Sequence, residues 1–347
     1  MIGDSAPERW GKDLMRRRER RAAPAEGRPA QALKDIDLLL GVADVSRLGA
    51  MRFREEGADT FAAPTREGVP GLIKLGRLLQ ASERIQADRF DDDDLKMIFA
   101  PGSSLGGARP EASVVDAHGQ LMIAKFPKLD DGVDIALWEA VALTLAHRAG
   151  IRVAPFELKS VGGRSVLLSR RFDREGEARL PFISAMALTG HRDGDNDASY
   201  LELSEIIAAE GAHPKRDREE LFARVGFSIL ISNVDDHLRN HGFIRESAAG
   251  WTLSPAYDLN PVPPHLKPAV LSTAIDFDER TADLGLLLEA ADGYGIQAHQ
   301  AKQIVRRLAD VTRQWADIAP CLGARETQIQ ETSRAFEHDR LQAAPQI

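Results

Sequence analysis

Residues 232–261 constrain this chain more than any other stretch: S-N-V-D-D-H-L-R-N-H-G-F-I-R-E-S-A-A-G-W-T-L-S-P-A-Y-D-L-N-P. An apolar helical pattern runs up to it through Leu221, Phe222, Val225, Ile229 and Leu230, so the polar cluster begins where a buried helix ends. Phe243-Ile244 and Trp251 to Leu253, separated by the turn-like Glu246 to Gly250, predict a short hairpin. Tyr257-Asp258-Leu259-Asn260 follows directly. A helix, a polar loop with Asp and Asn five positions apart, a hairpin and a second Asp form the layout that phosphoryl transfer requires. One carboxylate accepts the proton of the attacking hydroxyl, while an amide oxygen and a second carboxylate hold the Mg2+ ions that neutralise the phosphates. This assigns Asp235 as base, with Asn240 and Asp258 as metal ligands that complete the catalytic set.

The other bulk properties narrow the field. At 347 residues the chain is long enough for two domains or lobes. A net charge of -8 and a pI near 5.7 argue against nucleic acid as the main partner, because phosphate binding needs a basic face. The single cysteine, Cys321, excludes an internal disulfide and a Cys-rich zinc site. The polar N-terminus shows no signal peptide, and no apolar run approaches the ~20 residues of a membrane span. The expected location is the cytoplasm, with no membrane partner.

Read in order, residues 1 to about 22 are expected to be helical, with Met15 to Arg21 a basic but solvated face. Ala22 to Pro29 reads as a loop, and Arg47 to Arg54 as a short extended segment. Leu72 to Ile85 has helical spacing, and Asp91 to Asp94 favours the N-terminus of the helix that follows. Pro101 to Arg109, P-G-S-S-L-G-G-A-R, carries glycines that let backbone N–H groups turn onto an anion. It matches neither the P-loop nor the dinucleotide fingerprint. Its context gives it meaning: Ala112 to Val115 and Leu121 to Phe126 form an alternating hairpin with Lys125 on the second strand. A glycine-rich turn, a strand and a strand lysine is how kinases cradle and pair the phosphates of ATP.

Asp134 to Ala149 is expected to be a helix, ended by Gly150. Its Glu139 is read either as the partner of Lys125 or as a surface residue. Pro155 to Val161 and Ser165 to Ser169 flank the tight turn Gly162-Gly163. Arg170 to Arg174 then leaves the sheet as a hinge between a strand-rich lobe and a helical one, where adenine can hydrogen-bond the backbone. His191-Arg192-Asp193 spells a kinase catalytic-loop signature but is a decoy, because Ala198 stands where that signature needs Asn. Asp276-Phe277-Asp278 lacks the glycine of D-F-G, and Leu238 breaks the zinc pattern that His237 and His241 suggest. From Thr281 onward the chain reads as helical.

At this point the motifs resemble a known family, the HipA-like serine/threonine kinases, which are toxins of bacterial toxin–antitoxin pairs. The resemblance runs from Asp4-Ser5-Ala6-Pro7-Glu8-Arg9-Trp10-Gly11, similar to that family's D-S-L-P-x-x-W-G segment, through Ser104 to Pro110, Ile123 to Pro127 and Arg171 to Arg174. It closes with Asn233 to Asn240 and Tyr257-Asp258. It implies an α+β, two-lobed protein-kinase-like fold: residues 1–100 as the helical and extended part of the N-lobe, 101–173 as the ATP-binding N-lobe sheet, and 174–347 as the helical C-lobe. It implies ATP and Mg2+ as cofactors, with Leu105, Gly106, Gly107, Ala108, Arg109 and Pro110 lining the phosphate loop and Lys125 on the ATP phosphates. Arg170, Arg171 and Phe172 would lie at the adenine, and His237 and Tyr257 near the nucleotide. Ser104 matches the loop serine whose autophosphorylation switches such kinases off, with Ser103 its neighbour and alternative.

Two departures stand out. Glu111 occupies a position where the family often has lysine. Fuller family members also carry a small β-rich domain ahead of the D-S-L-P segment, whereas three residues precede Asp4 here. The expectation is a separate small N-terminal-domain-like protein encoded upstream, or a misplaced start codon. The resemblance further implies a protein substrate such as an aminoacyl-tRNA synthetase, a helix-turn-helix antitoxin, and DNA contact only through that antitoxin. The rival readings are a kinase of a small molecule and a non-catalytic regulator that binds the antitoxin.

Overall fold

The structure, a computed structural model, describes residues 2–63, 69–102, 107, 109–195 and 197–344. By its contacts the chain divides into two compact units, Met1–Ala136 with Pro155–Phe182, and Leu137–Ala154 with Ile183–Ile347.

The first unit carries helices α1 (Arg9–Ala25), α2 (Asp35–Gly41), α3 (Leu75–Gln86) and α4 (Asp92–Gly102). Its sheet is formed by β1 (Glu111–Val115), β2 (Leu121–Lys125), β3 (Phe156–Val161) and β4 (Arg164–Arg170), antiparallel in the order β1-β2-β4-β3. Strand alternation sends Ala112, Val114, Ala124, Val166 and Leu168 to one face, where they meet Leu75, Leu78 and Leu79. Those leucines recur at helical spacing on α3, so one stripe of a helix covers one face of the sheet. A second cluster, Trp10, Leu14, Ile85, Leu95 and Ile98, joins α1, α3 and α4. The β3–β4 turn is tight because Gly162 and Gly163 both adopt positive φ, +56° and +77°, the geometry a two-residue hairpin loop demands. Short strands β5 (Arg174–Glu175) and β6 (Ala178–Arg179) complete the unit.

Two expectations fail in this unit. The extended segment expected over Arg47 to Arg54 is interrupted by bends at residues 48–50 and pairs with no strand among the described residues. Arg47 is buried, and its guanidinium donates to the carbonyls of Ser5 (2.9 Å), Leu39 (3.0 Å) and Val42 (2.9 Å), so the start of the segment is anchored by residues that precede it. The loop expected from Ala22 starts later, because α1 runs to Ala25 with Pro24 in its last turn. The acidic run behaves as expected: Asp92, Asp93 and Asp94 occupy the first turn of α4, and buried Asp94 pairs with Arg84 of α3.

The second unit takes most of α5 (Ile135–Arg148), then α6 (Ala185–Thr189), α7 (Tyr200–Glu210) and α8 (Pro214–Leu230). Strands β7 (Phe182–Ser184), β8 (Gly242–Ser247) and β9 (Gly250–Leu253) form a three-stranded sheet in that order, and helices α9 (Leu284–Glu289), α10 (Ala298–Thr312), α11 (Trp315–Cys321), α12 (Glu326–Thr332) and α13 (Asp339–Ala343) follow. The central element is α8, buried from Glu220 to Leu230. Its buried charges are all engaged. Arg224 donates to Glu220 (2.5 Å) and to the Ser254 carbonyl (2.5 Å), and Arg152 donates to Glu220 (2.5 Å). Asp217 accepts from the Thr252 hydroxyl (2.6 Å) and the Leu253 N–H (3.1 Å), which fixes β9 against α8. Trp138, Trp315 and Phe336 form an aromatic cluster, with Trp315 and Phe336 stacked at 4.9 Å. Among the described residues no helix is long and apolar enough to cross a membrane.

Candidate active site

The loop that follows α8 is held from beneath by buried polar groups. Asn233 is fully buried: its N–H donates to the Ser228 carbonyl (2.8 Å), its Nδ2 to the Ser228 hydroxyl (3.2 Å), and its Oδ1 accepts the Asn260 N–H (3.3 Å). Asp236 is also buried. It accepts from the hydroxyls of Tyr200 (2.8 Å) and Ser228 (3.1 Å), and His241 Nε2 lies 3.1 Å from its other oxygen. Burial pushes the Asp236 carboxyl up, but the charge of His241 and these hydrogen bonds outweigh it and hold the group below the usual carboxylate range. Tyr200 shows the complement. Burial, with Asp236 beside it, drives its phenol well above the ordinary value, so it remains a donor.

That anchoring decides which member of the Asp-Asp pair faces outward. The Asp236 side chain is 4% exposed and that of Asp235 58%. Lys267 Nζ sits 3.3 Å from Asp235 Oδ1. The Asn240 Nδ2 donates to the Asp235 carbonyl (3.2 Å), which leaves the Asn240 oxygen as the atom available to a cation. Tyr257 donates its hydroxyl to the Arg239 carbonyl (2.7 Å), and Arg239 pairs with Asp193 of the H-R-D segment (2.7 Å). That segment therefore meets the loop at its surface.

Asp258 adopts φ +60° and Ser232 φ +54°, left-handed conformations that cost a non-glycine residue of order 1–3 kcal/mol and persist only when the surroundings enforce them. At Asp258 the enforcement comes from Glu139, whose Oε1 accepts the Asp258 N–H (3.2 Å), and from Asn260, whose Nδ2 donates to Asp258 Oδ1 (3.3 Å). At Ser232 it comes from Arg340, which donates to the Ser232 hydroxyl (3.0 Å), and from Val262, whose N–H reaches its carbonyl (3.2 Å). Glu139 is 2% exposed, so the surface reading of that residue is corrected. A hydrogen-bond chain from Asp258 through Asn260 and Asn233 to Ser228 and Asp236 thus ties the second Asp to the loop of Asp235 and Asn240.

In the first unit, Lys125 lies on β2 directly across from Glu111 of β1, and cross-strand partners share a face. Glu111 is buried. Gly107 holds φ +88°, and its N–H donates to Glu8 Oε2 (2.6 Å) while its carbonyl accepts the Trp10 N–H (3.2 Å). Trp10 Nε1 also donates to the Glu111 carbonyl (3.1 Å). The D-S-A-P-E-R-W-G segment therefore ties Gly107 to β1. Arg109 is paired with Asp131, and the Pro110 carbonyl accepts the Phe126 N–H (2.9 Å). Ser103, Ser104, Leu105, Gly106 and Ala108 lie outside the described residues.

At the end of β4 the Arg171 guanidinium is buried. It donates twice to Asp173 (2.6 Å each) and to the Ser46 carbonyl (2.9 Å), and the Arg171 N–H donates to the Leu121 carbonyl (2.9 Å), so both guanidinium and amide serve the fold. Burial pushes the Asp173 carboxyl up, but Arg171, Arg174 and the Gly49 N–H overcome this and hold it below the usual range. Burial lowers Arg174 to about 10. Arg170 is exposed, and Phe172 is half-buried with its ring 6.1 Å from Phe182.

Sequence reasoning did not single out Asn233, Asp236, Tyr200, Asn260 or Lys267. The Asp-Asp doublet was visible, but which carboxylate faces inward depends on Tyr200 and Ser228, which come from other elements.

The family model described as the HipA-like C-terminal domain matches residues 103–315. The chain belongs to that family. HipA of Shewanella oneidensis MR-1, solved as a toxin–antitoxin complex of HipA, HipB and operator DNA, superposes with a TM-score of 0.71 at 19% identity, over 99% of this chain and 83% of that one. The α+β, protein-kinase-like HipA fold expected from the motifs is thereby shown. The Sinorhizobium fredii protein named "Putative kinase Y4mE" is 25% identical over 181 residues, 45% of this chain and 41% of its own length, so the chain spans about two fifths of that relative. The proinflammatory kinase CtkA of Helicobacter pylori overlaps more loosely, with TM-score 0.49 and 15% identity over 70% of this chain and 89% of that one.

Proposed function

We propose that this HipA-family chain is an ATP- and Mg2+-dependent protein serine/threonine kinase that acts as a growth-arresting toxin. The observation that carries the reading is the exposure of Asp235 beside a buried, fully engaged Asp236. A carboxylate fixed through its backbone and open to solvent suits a base that must meet the acceptor hydroxyl. Its adjoining groups fit a hard divalent cation. The Asn240 oxygen is left over once its nitrogen serves Asp235, Asp258 supplies a carboxylate, and Asn260 Oδ1 is buried with no partner among the described residues. When bound, Mg2+ would neutralise charge on the phosphates.

Asp235 takes the proton from a serine or threonine hydroxyl. Tyr257 holds the loop through the Arg239 carbonyl, and Glu139 holds Asp258 in its left-handed conformation. In the first unit, Lys125, Gly107 and Arg109 are the candidates for phosphate contact. The backbone of Arg170 to Phe172 is the candidate for adenine contact, and His237 lies on the same loop as Asp235. Glu8 occupies the Gly107 N–H, so an internal carboxylate takes the amide that a phosphate would use.

The finer expectations follow from kinship. A helix-turn-helix antitoxin is the proposed partner, by analogy with the toxin–antitoxin complex of HipA, HipB and operator DNA from Shewanella. An aminoacyl-tRNA synthetase is the proposed target, and Ser104 or Ser103 the site of inhibitory autophosphorylation. Growth arrest on induced expression tests the reading: the wild type arrests growth and Asp235→Ala does not. Arrest that persists in the variant would show a toxin that acts by binding.

A further inference from the structure

Residues 263–271 form a loop tied at both ends to the backbone of the loop that carries Asp235. At the near end the Val262 N–H donates to the Ser232 carbonyl (3.2 Å). At the far end the N–H and the hydroxyl of Ser272 both donate to the Val234 carbonyl (3.0 Å each), and the Thr273 hydroxyl donates to that of Asp236 (2.9 Å). Pro263, Pro264 and Pro268 stiffen it by fixing φ, and the Leu266 N–H closes a turn onto the Pro263 carbonyl (2.9 Å). The one charged side chain it presents is Lys267, whose Nζ lies 3.3 Å from Asp235 Oδ1.

Stability does not explain this pair. Both side chains are about half exposed, and an exposed ion pair contributes little to folding. Position explains it better. An acceptor hydroxyl must come within about 2.6–3.2 Å of Asp235, and the phosphoryl group in flight must approach that same hydroxyl in line. An ammonium already touching Asp235 is therefore within reach of the phosphoryl oxygens.

We propose that Lys267 is a further catalytic residue, one that rests on the kinase reading above. In the free protein its ammonium occupies an oxygen of Asp235. When ATP is present it moves to an oxygen of the γ-phosphoryl group, which frees the carboxylate for the acceptor. The acceptor oxygen forms its bond to the γ-phosphorus as the bond from that phosphorus to the β-bridging oxygen breaks. The acceptor proton passes to Asp235, ADP leaves with the electron pair, and Lys267 stays protonated throughout as a hydrogen-bond donor. Charge that develops on the phosphoryl oxygens is thus met by a donor already in position.

The test uses the full chain with Lys267→Met and Lys267→Arg. It reads kcat for phosphate transfer at saturating ATP, and by calorimetry the preference for a non-hydrolysable ATP analogue over ADP. Loss of a donor to developing charge costs of order 10²–10³ at a buried site, so at this half-exposed one kcat should fall about 10–100-fold in Lys267→Met. The analogue-over-ADP preference should fall about tenfold, and Lys267→Arg should keep most of both. The melting temperature should stay within a few degrees, which separates a chemical role from a structural one. An active wild type whose Lys267→Met variant keeps its kcat, or gains activity, overturns the proposal alone. A wild type that binds nucleotide and transfers nothing overturns the kinase reading and this proposal with it.

Discussion

Asp235 and Asp236 are adjacent in sequence and opposite in environment, so replacing each with asparagine should have opposite consequences. Asp236→Asn removes a buried charge that faces His241 Nε2 at 3.1 Å and accepts the Tyr200 and Ser228 hydroxyls at 2.8 and 3.1 Å. The amide keeps one acceptor oxygen but must turn its NH2 toward a donor. Breaking a buried pair by removing one partner costs about 3–5 kcal/mol, and the near-isosteric amide belongs at the lower end, ~3 kcal/mol. For a domain of about 150–250 residues each kcal/mol moves Tm by about 2–4 °C, so the expected loss is about 6–12 °C. Among the described residues Asp235→Asn touches only the half-exposed contact with Lys267, worth less than ~1 kcal/mol, and should leave Tm within a few degrees while abolishing phosphate transfer. Thermal unfolding and urea titration followed by circular dichroism read the stabilities, and a phosphate-transfer assay reads the chemistry. A stable Asp236→Asn beside an unstable Asp235→Asn, or an Asp235→Asn that still transfers phosphate, would refute the division of roles.

Other consequences can be checked independently. Arg171→Met strands Asp173 among its remaining partners and should cost about 3 kcal/mol of unfolding free energy, read by urea titration. Trp10→Phe leaves the Glu111 carbonyl without its indole donor and should cost about 1–2 kcal/mol, seen as a lower denaturation midpoint. His338, lowered to about 4 by burial and then by the charge of Arg340, stays neutral in the fold while an unfolded histidine takes up a proton near 6.5. Its contribution is complete above pH 6.5 and fades as pH falls toward 4, by about 3 kcal/mol in all, because the unfolded chain binds the extra proton across that window. His338→Gln should flatten that part of the stability–pH curve, and an unchanged slope would exclude His338 as its source.

Periodicity carried most of the architecture. The hairpins around Asp116 to Gly119 and Gly162-Gly163, the helix through Glu139 and the apolar run before Ser232 appear where alternation and helical spacing put them. These are local signals, enforced by which side chains must face a core. What failed was decided over distance. Arg47 to Arg54 reads as extended, yet Arg47 is buried and donates to the carbonyls of Ser5, Leu39 and Val42, contacts that no local pattern announces. Likewise nothing local to Glu139 shows that its carboxylate accepts the N–H of Asp258. In the candidate site, the Asp and Asn of the loop could be named from spacing. The groups that aim them could not, because Tyr200, Asn260 and Lys267 converge only after the second unit folds.

The central claim is that Asp235 drives transfer of the γ-phosphoryl group of ATP. The most direct measurement is the transfer of label from γ-labelled ATP with Mg2+ to the purified chain and to a bacterial protein extract, run beside Asp235→Ala at matched folding. The account predicts labelled serine or threonine with the wild type, at Ser103 or Ser104 of the chain or on an extract protein, and none with the variant. Label at equal levels in both proteins, or in neither while the wild type binds ATP, would contradict it.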